Sequence, residues 1–494
     1  MIERFAYISI VLHMLRDHRG FFIGIALAGL ALRLFFLIYF PVVTDDSRVY
    51  MDLATNWLQH GVYGQTDSGQ VVPGDTRLPG YPAFLAAIFG VFGTGKIRAV
   101  LVMQILADLT TCLLIADLAR RISSRRWAGR VGFLLAALCP FLASYAAAVL
   151  SETVEIFFTA LALDCAVAAR GRMNAGAEVV CGEAASARRR SGAGLWAATG
   201  AAIGACILVR PDGGILLAAT GLYLVILIWR CRADRDRVRF ILLAGVTVSV
   251  FALGPLVPWT IRNFKTLHRF QPLAPRYATD ADEVDPRGFN RWVSTWMEDY
   301  TSVEEIYWNV PGDKIDATKL PARALDTAKD ETLALIAEYN ETQQLTPELD
   351  ARFREIAAEN IQAHPLRCYI ELPLLRVADM WLRPRTELLP ADPRWWQFND
   401  EPWGSAAAVS YGLLNLLYAG AAALALIRGR GELRYAGLLA GFLLLRSAFL
   451  GTVENPEPRY MLECYPVVIA LAAAAVCGLF AGGKAAGARG MKLR

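Results

Sequence analysis

Residues 79–93 read PGYPAFLAAIFGVFG, and whether this run crosses a membrane decides the orientation of everything that follows it. The run is apolar, but it has about 15 residues where a helical crossing needs about 20, and it contains Pro79 and Pro82 at its start. Counting it as a span would put Arg120, Arg121, Arg125, Arg126 and Arg130 outside. It would do the same to the loop 170–193 with Arg188, Arg189 and Arg190, and to Arg230, Arg232, Arg235, Arg237 and Arg239. Leaving it out places all of these in the cytoplasm, together with Arg428, Arg430, Arg434, Lys492 and Arg494. Short cytoplasmic loops collect Lys and Arg, so the second choice is preferred. Segment 79–93 is then expected to lie as a helix at the outer interface.

Outward from that segment, the apolar runs give candidate spans at about 20–40, 97–119, 126–142, 149–169, 194–209, 212–230, 240–260, 405–427, 434–452 and 461–481. The expected fold is an all-α polytopic membrane protein of about ten spans with a soluble, mainly helical insert on the outer side. Residues 1–19 read as a cytoplasmic lead-in, since no small-residue cleavage site follows the first apolar run. Residues 20–260 form the main membrane module, with its first outer loop at 41–96. An outer domain covers 261–404, further spans 405–481, and a cytoplasmic tail 482–494. Within the outer domain, 321–362 is helix-like with a Thr346-Pro347 start signal. The stretch 364–385 is amphipathic, interrupted by Pro373, and expected along the outer interface.

Composition agrees with this division. Of 494 residues, 55% are hydrophobic and only 19% charged, where a soluble chain carries about a quarter. The mean hydropathy is +0.35. The net charge of +4 hides an uneven spread, with basic residues beside the spans and an acidic polar stretch around Asp280, Asp282, Glu283 and Asp285. Arg clusters flanking apolar runs are topology signals, so nucleic-acid binding has no support. The nine Cys and five His form no CxxC or Cys/His cluster, which argues against a zinc site or a disulfide framework.

The unusual polar residues all fall on the outer side, and ionisable residues at membrane depth mark function. Asp45 and Asp46 follow the first span; a carboxylate pair there can be a base, a metal-ligand pair or a helix cap. Arg77 either reaches for the headgroups or binds a phosphate. Glu152 and Glu155 share a helix face at the start of the fourth span, where Glu152 also suits the helix terminus. Arg210 sits between two apolar runs with almost no loop around it. Arg262 closes the seventh span near Trp259, and Arg459 and Tyr460 precede the last; Trp259 and Tyr460 also fit an interfacial aromatic belt. No Gly-rich phosphate loop, nucleophile elbow or HExxH motif is present.

In this order and placement the residues resemble a family. The elements are D-x-x-x-Y (Asp46, Tyr50), R-x-P-x-Y-P (Arg77, Pro79, Tyr81, Pro82), LARRISSRR, LSE at 150–152 and LVRP at 208–211. PW-x-x-RN at 258–263 and PRY-x-x-x-x-YP at 458–466 complete the set. The chain resembles the bacterial GT-C glycosyltransferases, in the group of protein O-mannosyltransferases and lipid A aminoarabinose transferases (glycosyltransferase family 39-like), over about 20–265 and 405–480. The resemblance implies a GT-C transmembrane bundle and transfer of a sugar, with inversion by single displacement, from a polyprenyl-phosphate donor. The acceptor, a lipid, glycan or protein, approaches from outside. It implies a multi-pass protein of the bacterial cytoplasmic membrane with its site facing the periplasm or cell exterior. The family's acidic residue falls on Asp46, four before Tyr50, as general base, with Asp45 and Glu152 as further catalytic candidates. Arg77, Arg210 and Arg459 are the donor-phosphate candidates, and Tyr50, Tyr81, Glu155, Arg262 and Tyr460 the remaining ones. No cofactor is required; a divalent metal shared by Asp46 and Glu152 is conceivable, though relatives often work without one. The chain departs from aminoarabinose-type relatives in having Arg77-Leu78-Pro79 for Lys-Pro-Pro. It departs from many relatives in having Asp46-Ser47 for Asp-Glu. Two other classes compete: a transporter or flippase for a lipid-linked saccharide, and a non-catalytic lipid-binding homologue. The first is disfavoured by the lack of an internal repeat and by ionisable residues gathered at one face rather than at the midplane.

Overall fold

The computed structural model describes residues 18–123, 125, 127–177, 183–277, 284–398, 402–429 and 433–490, with backbone alone over 174–177, 183–191 and 479–490. Most of the expected lead-in, Arg126, Asp280, Asp282, Glu283, Arg430 and the last residues of the tail lie outside the described residues, and Arg188, Arg189 and Arg190 are described as backbone only.

In chain order the helices begin with α1 (Arg19–Tyr39), α2 (Asp45–His60), α3 (Gly80–Phe92), α4 (Ile97–Ile122), α5 (Ala128–Ala137), α6 (Pro140–Tyr145) and α7 (Glu152–Ala177). They continue with α8 (Glu183–Val209), α9 (Gly214–Arg230), α10 (Arg235–Leu253), α11 (Leu256–Leu267), α12 (Arg287–Val293), α13 (Tyr300–Glu305) and α14 (Lys329–Thr342). The last are α15 (Pro347–Ala363), α16 (Leu372–Leu382), α17 (Pro402–Arg428), α18 (Ala436–Gly451) and α19 (Tyr465–Gly490). A two-stranded antiparallel hairpin, β1 (Gly64–Asp67) and β2 (Gln70–Pro73), stands between α2 and α3.

The chain is a multi-pass membrane protein. Among the described residues seven helices are long and apolar enough to cross a membrane: Arg19–Tyr39, Ile97–Ile122, Gly192–Val209, Pro211–Arg230, Arg235–Leu267, Pro402–Arg428 and Pro458–Gly478. The other expected spans differ for physical reasons. The run 126–142 is broken into α5 and α6 at Cys139-Pro140, where Pro140 has no N–H to continue the helix. Helix α7 is long enough but carries Glu152, Glu155 and Asp164. Helix α18 has 16 residues. Segment 79–93 forms the 13-residue α3, about 20 Å long, too short for a bilayer core of about 30 Å. Its buried residues Tyr81, Leu85, Ile88 and Phe89 fall on one side at helical spacing.

The chain divides into two compact units: Met1–Ala274, Leu417–Leu443 and Leu462–Arg494 in the first, Pro275–Leu416 and Leu444–Met461 in the second. The second unit therefore begins later than the outer domain read over 261–404 and also takes in 444–461.

In the first unit, buried charges are paired, as a low-dielectric interior requires, and the expectation that the ionisable residues all stand at the outer face is corrected by Arg33 and Asp108, which lie within spanning helices. Arg33 in α1 is fully buried; its Nε donates to Asp108 Oδ2 of α4 at 2.6 Å and its Nη1 to Ala137 O of α5 at 2.6 Å. Asp117 near the end of α4 binds Arg120 and Arg121, and Arg121 reaches Asp164 of α7 at 3.0 Å. Glu152 opens α7 roughly 18 Å from Asp164 along the helix, so this cluster and the site described below occupy different levels of the bundle.

The second unit is mainly helical, as expected. Phe289, Trp292, Trp296, Tyr339 and Phe353 form its core with the apolar faces of α14 and α15. Thr346 caps α15, accepting from Leu349 N–H at 3.2 Å, with Pro347 in the first turn. Gly288 lets α12 approach α15 closely: a Cβ there would stand 1.7 Å from Asp350 O. The stretch 364–385 forms a π turn over Arg367–Glu371 that runs into α16. Pro373 falls in the first turn of α16, and the widened turn before it relieves the clash of its ring with the preceding carbonyls. Arg376 on this helix is buried, donating to Met297 O at 2.9 Å and Ser294 O at 2.6 Å, while Leu366, Tyr369, Ile370 and Leu374 stay exposed. Nearby, Glu387 has both carboxylate oxygens buried without a hydrogen-bond partner among the described residues. Burial pushes its pKa up to about 7, against the pull of Arg385, Arg383 and Arg459.

Candidate functional site

After α1 the chain makes a single parallel bridge. Val42 N–H donates to Ala147 O at 3.1 Å and Val149 N–H donates to Val42 O at 3.1 Å. This fixes the start of α2 beside the start of α7. Thr44 then caps α2: its Oγ1 accepts from Ser47 N–H at 3.3 Å, and Ser47 Oγ accepts from Thr44 N–H at 2.9 Å. The cap is thus Thr44, and reading the Asp pair as the cap is corrected. Both aspartates stand in the first turn, where the helix terminus favours negative charge. Successive helical residues point about 100° apart, so the two diverge. Asp45 turns outward with its side chain 94% exposed and pairs with Arg48 at 2.9 Å; it does not join the other candidates. Asp46, 31% exposed, accepts from Arg77 Nη2 at 2.8 Å.

Arg77 is held from several sides. Its carbonyl accepts from Tyr63 Oη at 2.9 Å, and its guanidinium lies 5.9 Å from the centre of the Tyr50 ring. Tyr50 meets Tyr81 edge to face at 4.9 Å. Tyr81 Oη donates to Gln104 Oε1 at 2.7 Å, and Gln104 Nε2 donates to Ala148 O at 2.6 Å, which returns the chain of contacts to the bridge. Burial works against the Arg77 charge, but the neighbouring Tyr50 and Asp46 outweigh it and hold its pKa above the ordinary value. Burial pushes the Tyr50 hydroxyl up; the charges of Arg77, Asp46, Arg210 and Glu152 all act on it, so Tyr50 lies between two ion pairs.

The second pair is centred on Arg210. Its Nη1 is 3.3 Å from Glu152 Oε1, and its Nε is 3.3 Å from Glu155 Oε2 and 3.4 Å from Asp212 Oδ1. Glu152 and Glu155, three apart on α7, present their carboxylates to one guanidinium; each side chain is 1% exposed against 20% for Arg210. Burial disfavours that charge, yet Asp212, Glu155, Glu152 and Glu463 together keep it cationic. Two glycines allow the approach. A Cβ on Gly80 would stand 2.5 Å from Leu208 C, and one on Gly213 would stand 2.6 Å from Cys206 C. Gly80 therefore lets the Arg77 turn press against the end of α8, just before Arg210.

Arg262 braces this arrangement from α11. Its Nη1 donates to Gly74 O at 2.7 Å, its Nη2 bonds Tyr63 O, and it lies over the rings of Tyr63 (5.4 Å) and Trp259 (5.3 Å). It thereby secures the Tyr63 that holds Arg77. Arg459 and Tyr460 belong to the second unit, where both are built around Glu457: Arg459 Nε is 2.6 Å from Oε2, and Tyr460 Oη donates to Oε1 at 2.7 Å.

The sequence reading did not single out Tyr63, Gln104, Asp212 or Glu463. Asp212 directly follows the Arg210-Pro211 turn, and Glu463 is a carboxylate inside the 458–466 motif, so both carried a signal. Gln104 carried a weaker one, as a polar residue in an apolar helix. Among the described residues no group of three or more His, Cys, Asp or Glu is placed to hold a metal. Chemically the site offers a partly exposed carboxylate, two partly buried cations and a tyrosine between them.

Comparison with known proteins gives the following. Residues 76–259 match the model of the dolichyl-phosphate-mannose-protein mannosyltransferase family. The match includes Arg77, Tyr81, Glu152, Glu155 and Arg210 and begins after Asp46. Among curated proteins no relative matches at the level of sequence. Among solved structures, the archaeal oligosaccharyltransferase AglB from Archaeoglobus fulgidus, in complex with an inhibitory peptide and a dolichol-phosphate, is similar with TM-score 0.51 and 13% identity, covering 95% of this chain and 51% of that one. The chain spans about half the length of that relative. ArnT from Cupriavidus metallidurans bound to undecaprenyl phosphate aligns with TM-score 0.37 and 15% identity over 93% of this chain and 78% of that one. The resemblance to GT-C glycosyltransferases drawn from the sequence is borne out.

Proposed function

We propose, from the GT-C fold established by these comparisons, that the chain is a membrane glycosyltransferase that takes a sugar from a polyprenyl-phosphate donor and places it on an acceptor outside the cytoplasm. The observation that carries this reading is the Asp46–Arg77 pair, 2.8 Å apart and partly open to solvent, at the foot of the apolar bundle beside the Arg210 cluster. A polyprenyl-phosphate sugar keeps its tail in lipid and its phosphate at headgroup depth. Cations already held at that depth are what such a donor requires.

In the proposed reaction Asp46 is the general base. It takes the acceptor's O–H proton as that oxygen attacks the anomeric carbon from the face opposite the phosphate. The bond from the anomeric carbon to the phosphate oxygen breaks, and polyprenyl phosphate leaves with a second negative charge. Arg77 and Arg210 stabilise that developing charge more than the ground state. Glu152 and Glu155 keep Arg210 charged and positioned, and Tyr50 and Tyr81 hold Arg77 over the first turn of α2. The site faces the periplasm or cell exterior of a bacterial cytoplasmic membrane in this reading, which the distribution of Arg beside the spans supports.

The test is glycan and lipid profiling of cells lacking the protein, with the wild-type chain restored as a control. Expected are loss of one glycan modification and accumulation of a polyprenyl-phosphate-linked sugar, both reversed by the restored chain. Unchanged glycans and unchanged lipid-linked sugars would remove the reading.

A further inference from the structure

The sequence places residues 364–385 along the outer interface; the contacts of the folded chain carry the end of this stretch deeper. Ile370, Leu374, Ala378 and Leu382 are four apart, so they form one ridge down the π turn and α16. All four are exposed, Leu374 by 65% and Leu382 by 54%. The charged side chains of the same stretch turn the other way, into the protein. Arg367 pairs with Asp326, Arg376 donates to Met297 O and Ser294 O, and Asp379 accepts from Tyr300 N–H at 3.1 Å. Glu371, at the upstream end of the ridge, is the exception and is exposed. A helix that faces water shows the opposite arrangement, with its polar side outward.

The two helices that flank α16 fix its depth. Arg428 closes the spanning helix α17 at an exposed position, and a charge there marks one edge of the hydrocarbon core. Asn415 stands 13 residues before Arg428, about 20 Å along the helix. Its Nδ2 donates to Trp381 O at 2.7 Å and to Arg383 O at 3.1 Å. Ser447 stands 11 residues beyond Ala436, the start of α18, which is about 17 Å, and its Oγ accepts from Trp381 Nε1 at 3.0 Å. Both helices thus give nearly the same level for Trp381. Against a core of about 30 Å, that level is about 10 Å inside the edge farther from Arg428. The chain descends to it and returns. Pro373 packs at Gly451, the last residue of α18, where a Cβ would stand 2.9 Å from Pro373 O. Pro384 packs at Gly412, nearer the start of α17 than Asn415, where a Cβ would stand 3.2 Å from Pro384 Cγ.

An exposed ridge at that depth has hydrocarbon beside it, and its apolar side chains suit acyl chains. Glu371 and the exposed Tyr369 stand about 15–18 Å above Trp381 along the helix, at the level of the headgroups, where a charge and a tyrosine belong. We infer that residues 374–382 enter the bilayer as a re-entrant helix instead of lying flat on it, with Leu374, Ala378 and Leu382 against the acyl chains of the leaflet farther from Arg428. The second unit then has a lipid contact of its own besides its parts of α17 and α18. This contact does not depend on the transferase reading.

The experiment uses the full-length protein in phosphatidylcholine–phosphatidylglycerol nanodiscs. A fluorescent amino acid is placed singly at 370, 374, 378 or 382, with the exposed Glu341 of α14 as the control position. Each protein is first checked for wild-type thermal unfolding. Quenching is read with iodide in the water and with lipids brominated high or low on the acyl chain. The label at 382 is expected to be at least twofold less quenched by iodide than the one at 341, and quenched more by low bromines than by high ones. At 370 the high bromines should quench more, with 374 and 378 in between, because each step of four residues descends about 6 Å. If the label at 382 prevents folding, the same order is expected between 378 and 370. Iodide quenching at 374 and 382 equal to that at 341 would put the ridge in water and overturn the inference. The same bromine profile at all four positions would lay the helix flat on the surface and overturn it too. Shielding from iodide without bromine quenching would give the ridge to a protein surface, such as a second copy of the chain, and would equally overturn it.

Discussion

Asp46→Asn separates catalysis from stability because the local structure isolates the two. The side chain pairs with Arg77 at 2.8 Å, with both partners about a third exposed. Pairs of that exposure are worth about 0.2–1 kcal/mol. The start of α2 is secured by Thr44 and Ser47 and does not depend on Asp46. Asn keeps the shape, so unfolding should change by no more than about 1 kcal/mol. The rate is another matter. Losing a positioned base costs about 10²–10⁴-fold, or about 3–5 kcal/mol of barrier. Donor affinity should hold or improve, because Arg77 no longer shares its charge with a carboxylate. The assay measures polyprenyl phosphate released from lipid-linked sugar extracted from the same membranes, with purified protein in nanodiscs and its thermal unfolding recorded alongside. Asp45→Asn is the control; its side chain is 94% exposed and pairs with Arg48 on the same helix, so the variant should turn over normally. A folded Asp46→Asn protein working at the wild-type rate would refute the assignment.

Other perturbations give sharply different outcomes. Arg210→Ala removes the cation between Glu152 and Glu155, each 1% exposed, and breaking buried pairs costs about 3–5 kcal/mol; thermal unfolding should register this, with part of the loss recovered when both glutamates become Gln. Gly80→Ala places a methyl 2.5 Å from Leu208 C, so the α3–α8 contact must open; turnover should fall although no charged group has changed, and normal turnover would show that the approach of the two turns is unimportant. Thr44→Ala should lower stability by about 1 kcal/mol through the lost cap, measurable by the same unfolding assay. Glu387 predicts a pH dependence: its folded pKa of about 7 exceeds the ordinary carboxylate value, so the folded state holds the proton more tightly. Its effect on stability is absent below the unfolded pKa. Stability then falls as pH rises to about 7, by about 3 kcal/mol in all, and is level above that. Glu387→Gln should flatten the pH 5 to pH 8 difference in unfolding temperature, and an unchanged difference would assign it elsewhere.

What was legible in the sequence was whatever one residue type announces by itself. Apolar length announced the spans, and Thr346-Pro347 announced the start of α15. Arg210 and Glu152 drew notice because ionisable groups beside apolar runs need a reason to be there. What was not legible depended on phase or on distance along the chain. Asp45 and Asp46 are chemically alike, and only the cap at Thr44 fixes which faces inward. The pairing of Arg33 with Asp108 joins residues 75 apart, with nothing local to connect them. The hairpin at 64–73 did carry a signal: Ser68-Gly69 takes positive φ at both positions, 48° and 82°, the two-residue turn that such a pair favours. Its strands are four residues each and polar, so their alternation is too short to stand out. The division between units was hidden because 444–461 joins the second unit from a distant part of the chain.

The pairing of opposite charges in the resting site bears on the proposed mechanism. Around Arg77 and Arg210 stand Asp46, Glu152, Glu155 and Asp212, so carboxylates outnumber cations before any donor arrives. A donor phosphate adds a further negative charge and must compete for one of the two guanidiniums. Arg210 is the harder to claim, since it is buried among three carboxylates with two of them nearly inaccessible. Arg77 pairs with the partly exposed carboxylate of Asp46 and is the one a phosphate can take. Once it does, Asp46 loses the cation that stabilised its charge and becomes a better proton acceptor. In the proposed mechanism the base is thus released by the donor it serves. Without donor, Arg77 keeps Asp46 occupied, and the carboxylate is poor at drawing a proton from water or from a stray acceptor. Arg77→Ala would test this coupling: donor affinity should fall and, with the Arg77 charge gone from beside Asp46, hydrolysis of donor should rise relative to transfer. A variant in which both fall by the same factor would show that Arg77 only binds phosphate and does not restrain the base.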